Sequence, residues 1–480
     1  MKDYEKLGFK AGLEIHQQLD THKLFSDSPS FLRNDEPDYL INRKLHAIAG
    51  ESGEIDIAVK HEALLDKEFF YEGYNDTVSL VELDEEPPRN INEEALEIAL
   101  QISLLLNCEI YPITQVMRKT VIDGSNTSGF QRTVLIAHNG FIETSFGKVL
   151  IESVALEEDS ARIISREEGK AIYRLDRLGI PLVEITTAPD IFSSEQIKEA
   201  ALKIGDILRS CKVKRGIGTI RQDVNVSIKG HDRVEIKGFQ DPKMMVETAD
   251  KEIERQLAEI KKGESIGCVR NALPDGTTKF LRPLPGRARM YPETDLELLK
   301  INLEKINKIK KNLPELRSNI RKSLKKRGLT EELINLVLAG HLDEFTTLMK
   351  VYKEDPILIA KMITIWRSEF SKKMKKSLEE IEGIFSEAIY EKILEKIKKG
   401  ILKNEDVREV LINMVQGQEL EEAIKIEKIN DDELEEKIRK LIKKNPGLRV
   451  NAYMGIVIKE MKGKIDARKA MEIIKKIVTD

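Results

Sequence analysis

A chain of 480 residues, 41% of them hydrophobic and 34% charged, has the size for two to four domains and the polarity of a soluble globular protein. It has no apolar run near the ~20 residues that cross a bilayer, and it opens without the apolar stretch of a secretory signal, so no membrane association and a cytoplasmic location are expected. Its three cysteines, Cys108, Cys211 and Cys268, stand far apart with no CxxC pair, and suggest neither a disulfide framework nor a cysteine zinc site.

The first element is FKAGLEIHQQL, 9–19, which alternates at the period of a strand. Leu13, Ile15, Gln17 and Leu19 fall on one side, and Glu14, His16 and Gln18 on the other. Glu14 and His16 point the same way. That spacing suits two ligands of one ion, and it equally suits a histidine with a structural hydrogen bond. Residues 91–110, INEEALEIALQISLLLNCEI, repeat apolar side chains every three to four positions behind Asn92 and predict a buried amphipathic helix. MRKTVIDGSNTSGFQRT, 117–133, reads as a polar loop flanked by Arg118, Lys119 and Arg132, able to offer cations and backbone N–H groups to phosphates. No GxxxxGK[ST] occurs, so it is not a P-loop.

A hairpin with Asn139-Gly140 at its turn leads into VLIESVALEEDSARI, 149–163. This strand ends in Glu157, Glu158 and Asp159, which cannot all face one side, and any that turns inward needs a cationic partner. A strand between Pro181 and Pro189, a capped helix over 193–211, a helix over about 243–262 and an arginine- and proline-rich loop over 282–295 follow. Between those two helices lies TIRQDVNVSIKGHDRVEIKGFQ, 219–240, a hairpin turning at Lys229-Gly230-His231-Asp232. Arg221, Asp223, Asn225 and Ser227 share one face of its first strand; Arg233, Glu235 and Lys237 share one face of the second. Such a floor suits a metal ion, phosphates or an ammonium, or else forms cross-strand ion pairs in solvent. Up to about residue 297 these elements predict one α+β domain around a large, mostly antiparallel sheet.

Beyond that point strand signals vanish. Residues 298–405 read as a helical bundle and 406–480 as a further helical unit, in which Asn445-Pro446-Gly447 breaks the chain and Gly463 ends a helix. Charge divides in the same place. Residues 1–300 hold 40 Lys and Arg against 52 Asp and Glu, whereas residues 301–480 hold 39 against 31. The second part attracts a polyanion, unless its lysines only solvate helix faces.

GLEIHQQLDTHKLFS, MRKTVIDGSNTSGFQRT, LEEDSAR, GIPLVEITTAPDI, GIGTIRQDVNVSIKGHDRVEIKGFQ and RPLPGRARMYPETDL, in this order, resemble the archaeal glutamyl-tRNA(Gln) amidotransferase E subunits and, more distantly, the B subunits of the related heterotrimeric amidotransferase. The resemblance covers essentially the whole chain. It implies a cradle catalytic domain over 1–297, a helical domain over 298–405 and a YqeY-like helical tail over 406–480 that binds tRNA. It implies a ligase that uses ATP to phosphorylate the γ-carboxylate of glutamate esterified to tRNA(Gln), after which ammonia displaces phosphate. The ammonia is expected from an asparaginase-like D subunit acting as glutaminase, in a heterodimer or heterotetramer. Two departures stand out. The helix ending near Lys262 runs through ESIGCV into RNALPDGTTKF, without room for the aspartyl-tRNA-synthetase-like insertion usual in E subunits. Ser26 and Ser28 stand where some relatives have cysteines, so no structural zinc is expected.

Carried over by motif position, Glu14, His16, Glu158, Asp223 and Glu235 are the expected ligands of Mg²⁺ or Mn²⁺, with Glu157 a weaker candidate. His16 is a mediocre Mg²⁺ ligand and is alternatively the acceptor of a proton from ammonium. Lys237, Arg221, Arg118 and Lys119 are expected to neutralise phosphate charge, or else to pair with those carboxylates. His16, Glu158, Asp223 and Lys237 make up the expected catalytic set. Glu184 would line an ammonia path or serve as a buried structural carboxylate. Tyr453, Lys459, Lys462, Lys464 and Arg468 are expected at the tRNA backbone. A scaffold that binds tRNA without catalysis, and a metal-dependent hydrolase, are the competing readings.

Overall fold

The structure is a computed structural model that describes residues 3–49, 53–55, 57–64, 66–239, 241–284, 290–425, 431–461 and 467–479. The chain forms two compact units, Met1–Ser318 and Asn319–Asp480.

One eleven-stranded sheet organises the first unit. Its longer strands are β1 (Lys10–Gln18), β2 (Val116–Thr120), β3 (Phe130–Thr144), β4 (Gly147–Glu158), β5 (Pro181–Thr187), β6 (Ile220–Ser227), β7 (Val234–Phe239), β8 (Cys268–Ala272), β9 (Thr278–Pro283) and β10 (Met290–Pro292). Across the sheet they run β9-β8-β7-β6-β1-β5-β4-β3-β2-β10, and the short strand Glu109–Ile110 adds to β3. The pairings are antiparallel except β7 with β8, as expected for a mostly antiparallel sheet. β1 lies inside the sheet, hydrogen-bonded to β5 on one side and β6 on the other.

Strand alternation gives the sheet two unlike faces. Leu13, Ile15, Val154, Leu156, Val183, Ile185, Val224 and Val226 are buried on one of them. Helices α1 (Glu93–Leu105), α2 (Ser194–Ser210) and α3 (Pro242–Lys261) cover that face with Leu96, Ala99, Ile197, Ile204, Met245 and Ile253. Burying each large aliphatic here contributes roughly 1.5–3 kcal/mol. The helices start where capping side chains stand: Asn92 Oδ1 accepts from Ala95 N at 3.1 Å, and Ser193 Oγ accepts from Gln196 N at 3.3 Å. The opposite face carries the polar alternates, Glu14, His16, Glu184 and Asp223 among them.

Two local expectations change. Asn139-Gly140 lies inside β3 and is not a turn; the chain reverses at Ser145-Phe146, between the paired Thr144 and Gly147. Glycine is required at 140 because a Cβ there would meet Cys108 Sγ at 2.2 Å, so it serves close packing against the end of α1. The stretch 117–133 is a loop only at 121–129, since Arg118 and Lys119 pair in register with Arg132 and Gln131. A separate four-stranded sheet, Tyr39–Arg43, Glu68–Gly73, Lys170–Arg174 and Arg162–Glu167 in that order, packs its own core of Phe69, Tyr71 and Tyr173. Beside it Ser26 and Ser28 both donate to the Glu82 carboxylate.

The first unit runs on past residue 297 because Leu299–Lys300 pairs with Ile113–Thr114 and the following helix, Leu303–Lys311, sets Ile309 into the main core. In the second unit the described residues form helices, with one apolar cluster from Leu324 to Ala423 and another from Leu434 to Ile474. The helix Val407–Val415 packs into the former. Asn445–Gly447 falls between the helices Asp431–Lys444 and Val450–Met461, and Gly463 lies outside the described residues.

Candidate active site

A cavity of about 990 Å³ opens on the polar face of the main sheet, lined by Glu14, His16, Lys119, Glu157, Asp159, Arg221, Asp223 and Lys237, among others. The set comes from β7, β6, β1, β4 and β2, which pairing through β5 and β3 brings together. In register, His16 on β1 stands opposite Glu184 on β5 and Arg221 on β6, and Glu14 stands opposite Asp223. Glu184 in turn pairs with Ala155 on β4, so Glu157, two residues on, shares its face.

At the centre, His16 Nε2 lies 3.5 Å from Glu14 Oε1, 3.7 Å from Glu157 Oε1 and 3.4 Å from Glu184 Oε2. Glu14, His16 and Asp223 each bring one ligand atom within 4.8 Å of the others, and so do His16, Glu157 and Glu184. Lys119 Nζ bridges Glu157 at 2.7 Å and Glu184 at 3.4 Å. Lys237 donates to Asp223 and sits 2.6 Å from Glu235 Oε1. Arg221 reaches Asp159 at 2.7 Å, and Gln18 Nε2 donates to the same carboxylate at 2.6 Å.

The charges do not balance locally. Burial pushes the Glu14 carboxyl up to about 7, and the Glu184 charge adds to it. Burial disfavours the His16 imidazolium, but Glu184, Glu157 and Glu14 outweigh it and raise the group to about 9. Glu157 is likewise pushed up by burial, against Lys119. Glu184 is also desolvated, yet Lys119 and His16 hold its carboxyl well below the ordinary range. For Lys237, burial is outweighed by Asp223 and Glu235, so it stays protonated. A buried nest of carboxylates with an imidazole, too acidic for its own cations, has the hard-oxygen donor set that a divalent cation needs.

Several expected residues are placed otherwise. Glu158 faces the helix-covered side, where it accepts from Arg132 N at 3.1 Å; its neighbour Glu157, the weaker candidate, occupies the cavity instead. Strand alternation allows only one of the two, and the register with β5 selects Glu157. Arg118 is likewise turned away from the cavity and forks onto Glu293 at 2.9 and 2.6 Å, leaving Lys119 to face the site. Glu235 touches Lys237 rather than joining either ligand triad. Glu184 belongs to the central cluster, a position that its lone acidic side chain among the apolar residues of PLVEIT already signals. Asp159, named from sequence only as one of three carboxylates that would need a cation if turned inward, follows the last residue of β4, where alternation gives no guide to its direction.

In the second unit Tyr453 is 3% exposed, and its hydroxyl donates to Asn445 O at 2.6 Å, so it braces a helix junction and cannot meet a tRNA backbone. Helix periodicity turns it into the apolar cluster with Leu434 and Val457. Lys459 and Arg468 lie on the helices Val450–Met461 and Ala467–Thr479, and Lys462 and Lys464 fall outside the described residues. Among the described residues no helix is long and apolar enough to cross a membrane.

Residues 9–307 match the family model described as the GatB/GatE catalytic domain. The chain is 35% identical to the E subunit of glutamyl-tRNA(Gln) amidotransferase from Methanocaldococcus jannaschii, over 99% of each. It is 35% identical to the E subunit from Pyrococcus horikoshii, over 95% of this chain and 94% of the relative, and 33% identical to that from Methanothermobacter thermautotrophicus, over 94% of each. The first alignment spans 631 positions against 480 residues here, so that relative carries stretches with no counterpart in this chain. With a catalytic-domain match over most of the chain and near full-length similarity to these archaeal proteins, the chain belongs to the GatB/GatE family, as an archaeal E-type member.

Proposed function

We propose that this chain converts glutamate esterified to tRNA(Gln) into glutamine in two steps. ATP transfers its γ-phosphoryl group to an oxygen of the side-chain carboxylate and leaves as ADP. Ammonia then attacks the acyl carbon, the bond to the phosphate oxygen breaks, a proton is lost and inorganic phosphate leaves. Both reactants of the first step are anions, so positioning and countercharge carry the catalysis. The observation that supports this reading is the cavity itself, where a carboxylate–imidazole nest stands beside Lys119, Lys237 and Arg221.

Glu14, His16 and Asp223, with Glu157 and Glu184 alongside, would hold Mg²⁺ or Mn²⁺. When bound, such an ion supplies countercharge to the phosphates. Lys237 and Lys119 keep fixed positive charge at the two ends of the nest. His16, raised to about 9, is already an imidazolium without an ion and must lose that proton before it can act as a ligand.

Ammonia is delivered by an asparaginase-like glutaminase subunit, and the cytoplasm is the setting. The first unit acts as a cradle, and the basic C-terminal part meets the tRNA backbone. The α3–β8 link is only residues 262–267, so tRNA handling here does without an inserted domain. The test is to mix the chain with Glu-tRNA(Gln), ATP, Mg²⁺ and ammonium chloride. Gln-tRNA(Gln) and ADP in equal amounts are expected; tRNA binding without ATP turnover, or deacylation without ATP, refutes the reading.

A further inference from the structure

The end of the motif RARMYPETD takes no part in the cavity, yet it holds a fully buried carboxylate, Glu293. Glu293 accepts from Arg118 Nε at 2.9 Å and Nη2 at 2.6 Å, from Arg132 Nε at 2.9 Å and from Asp295 N at 3.1 Å. Its own N–H donates to Val116 O at 2.9 Å, and β10 just before it pairs Met290 with Lys119 and Tyr291 with Arg118. Arg118 and Arg132 stand directly opposite each other on β2 and β3. Two guanidiniums so placed repel, and the pairing is favourable only with carboxylates between them. Among the described residues Glu293 is the carboxylate that both arginines reach, while Glu158 meets Arg132 and not Arg118.

The other three members of this hidden cluster are chain neighbours of residues at the cavity: Arg118 precedes Lys119, Arg132 follows Gln131, and Glu158 follows Glu157. Adjacent residues of a strand point to opposite faces, so whatever fixes one side of β2, β3 and β4 fixes the other. We propose that Glu293 is a positioning residue for the reaction: by clamping Arg118 and Arg132 it sets the strand register that holds Lys119 and Glu157 beside His16. The effect runs through geometry, since Glu293 touches no cavity group. This inference rests on the function proposed above.

The test uses the full chain with Glu-tRNA(Gln), ATP, Mg²⁺ and ammonium chloride. Glu293→Gln is expected to lower kcat about 10- to 100-fold, the effect of misplacing a group by an ångström or less, with KM for ATP and tRNA within about twofold. In a Lys119→Met background the same substitution is expected to cost clearly less than in the unaltered chain, because one of the two groups it positions is gone. An additive loss there, or a Glu293→Gln protein with unchanged kcat, overturns the proposal. Should Glu293→Gln fold poorly, Glu293→Gln with Arg118→Gln removes the uncompensated charge. That pair is expected to melt near the unaltered protein yet keep the low kcat, and full recovery of kcat would show that Glu293 only balances charge. An unaltered chain that makes no Gln-tRNA refutes the function reading instead.

Discussion

The main sheet carries an ionic cluster on each face, and the two are built to opposite ends. On the helix-covered side, Glu293 and Glu158 meet Arg118 and Arg132, and each carboxylate accepts both guanidinium and backbone donors. On the cavity side, Glu14, Glu157 and Glu184 crowd one imidazole, with Lys119 shared between two of them. A buried cluster with its charges matched holds strands in place; one crowded with carboxylates takes up protons, as the raised Glu14 and His16 values show, and is a candidate cation site. The difference teaches that burial of charge alone does not mark a site. The mismatch does.

Removing a carboxylate from the unbalanced side should have the largest effect. Asp223→Asn or Glu14→Gln is expected to reduce ADP formation on the order of 10²- to 10³-fold, with tRNA affinity in a filter-binding assay nearly unchanged. Lys119→Met strands Glu157 and Glu184 without their shared cation and should lower the unfolding free energy by about 3 kcal/mol, read from urea melts. A stability equal to that of the unaltered chain would mean that the two faces do not differ as described.

The pH dependence sharpens the comparison further. Glu14 and His16 have folded-state values of about 7 and about 9, each above its ordinary value. A group so raised binds more protons folded than unfolded, so its stabilising contribution is complete at low pH and is lost as pH rises through the folded value. Without divalent cation the first unit should therefore lose stability between about pH 5 and pH 9, by up to about 1.4 kcal/mol per pH unit for each group. Glu14→Gln should remove the part of this fall below pH 7, and Mg²⁺ should flatten the whole of it, as seen in urea melts across that range. The smallest effect lies in the second unit. Tyr453→Phe loses a buried hydroxyl bond, costs about 1 kcal/mol in thermal melts, and leaves tRNA affinity as it was.

Much of this is legible in the sequence where one strand suffices. The alternation of GLEIH puts Glu14 and His16 on one face whatever lies beside them, and RQDVN does the same for Arg221 and Asp223. What sequence cannot decide is parity between strands. Glu157 or Glu158, and Lys119 or Arg118, are equivalent within their own segments; the choice is made by the register of β4 on β5 and of β2 on β3. Glu293 and Tyr453 are hard to place for a related reason. A loop motif and a tyrosine in a basic C-terminal stretch both read as surface until the partners that bury them, two arginines and an apolar cluster, are in place.

The central claim is that the glutamyl carboxylate is phosphorylated in this cavity before ammonia reaches it. Glu-tRNA(Gln) labelled with ¹⁸O in its side-chain carboxylate, incubated with the chain, ATP, Mg²⁺ and ammonium chloride, tests it directly. The account predicts one ¹⁸O in the inorganic phosphate released for each glutamine formed; glutamine formed with unlabelled phosphate would contradict it.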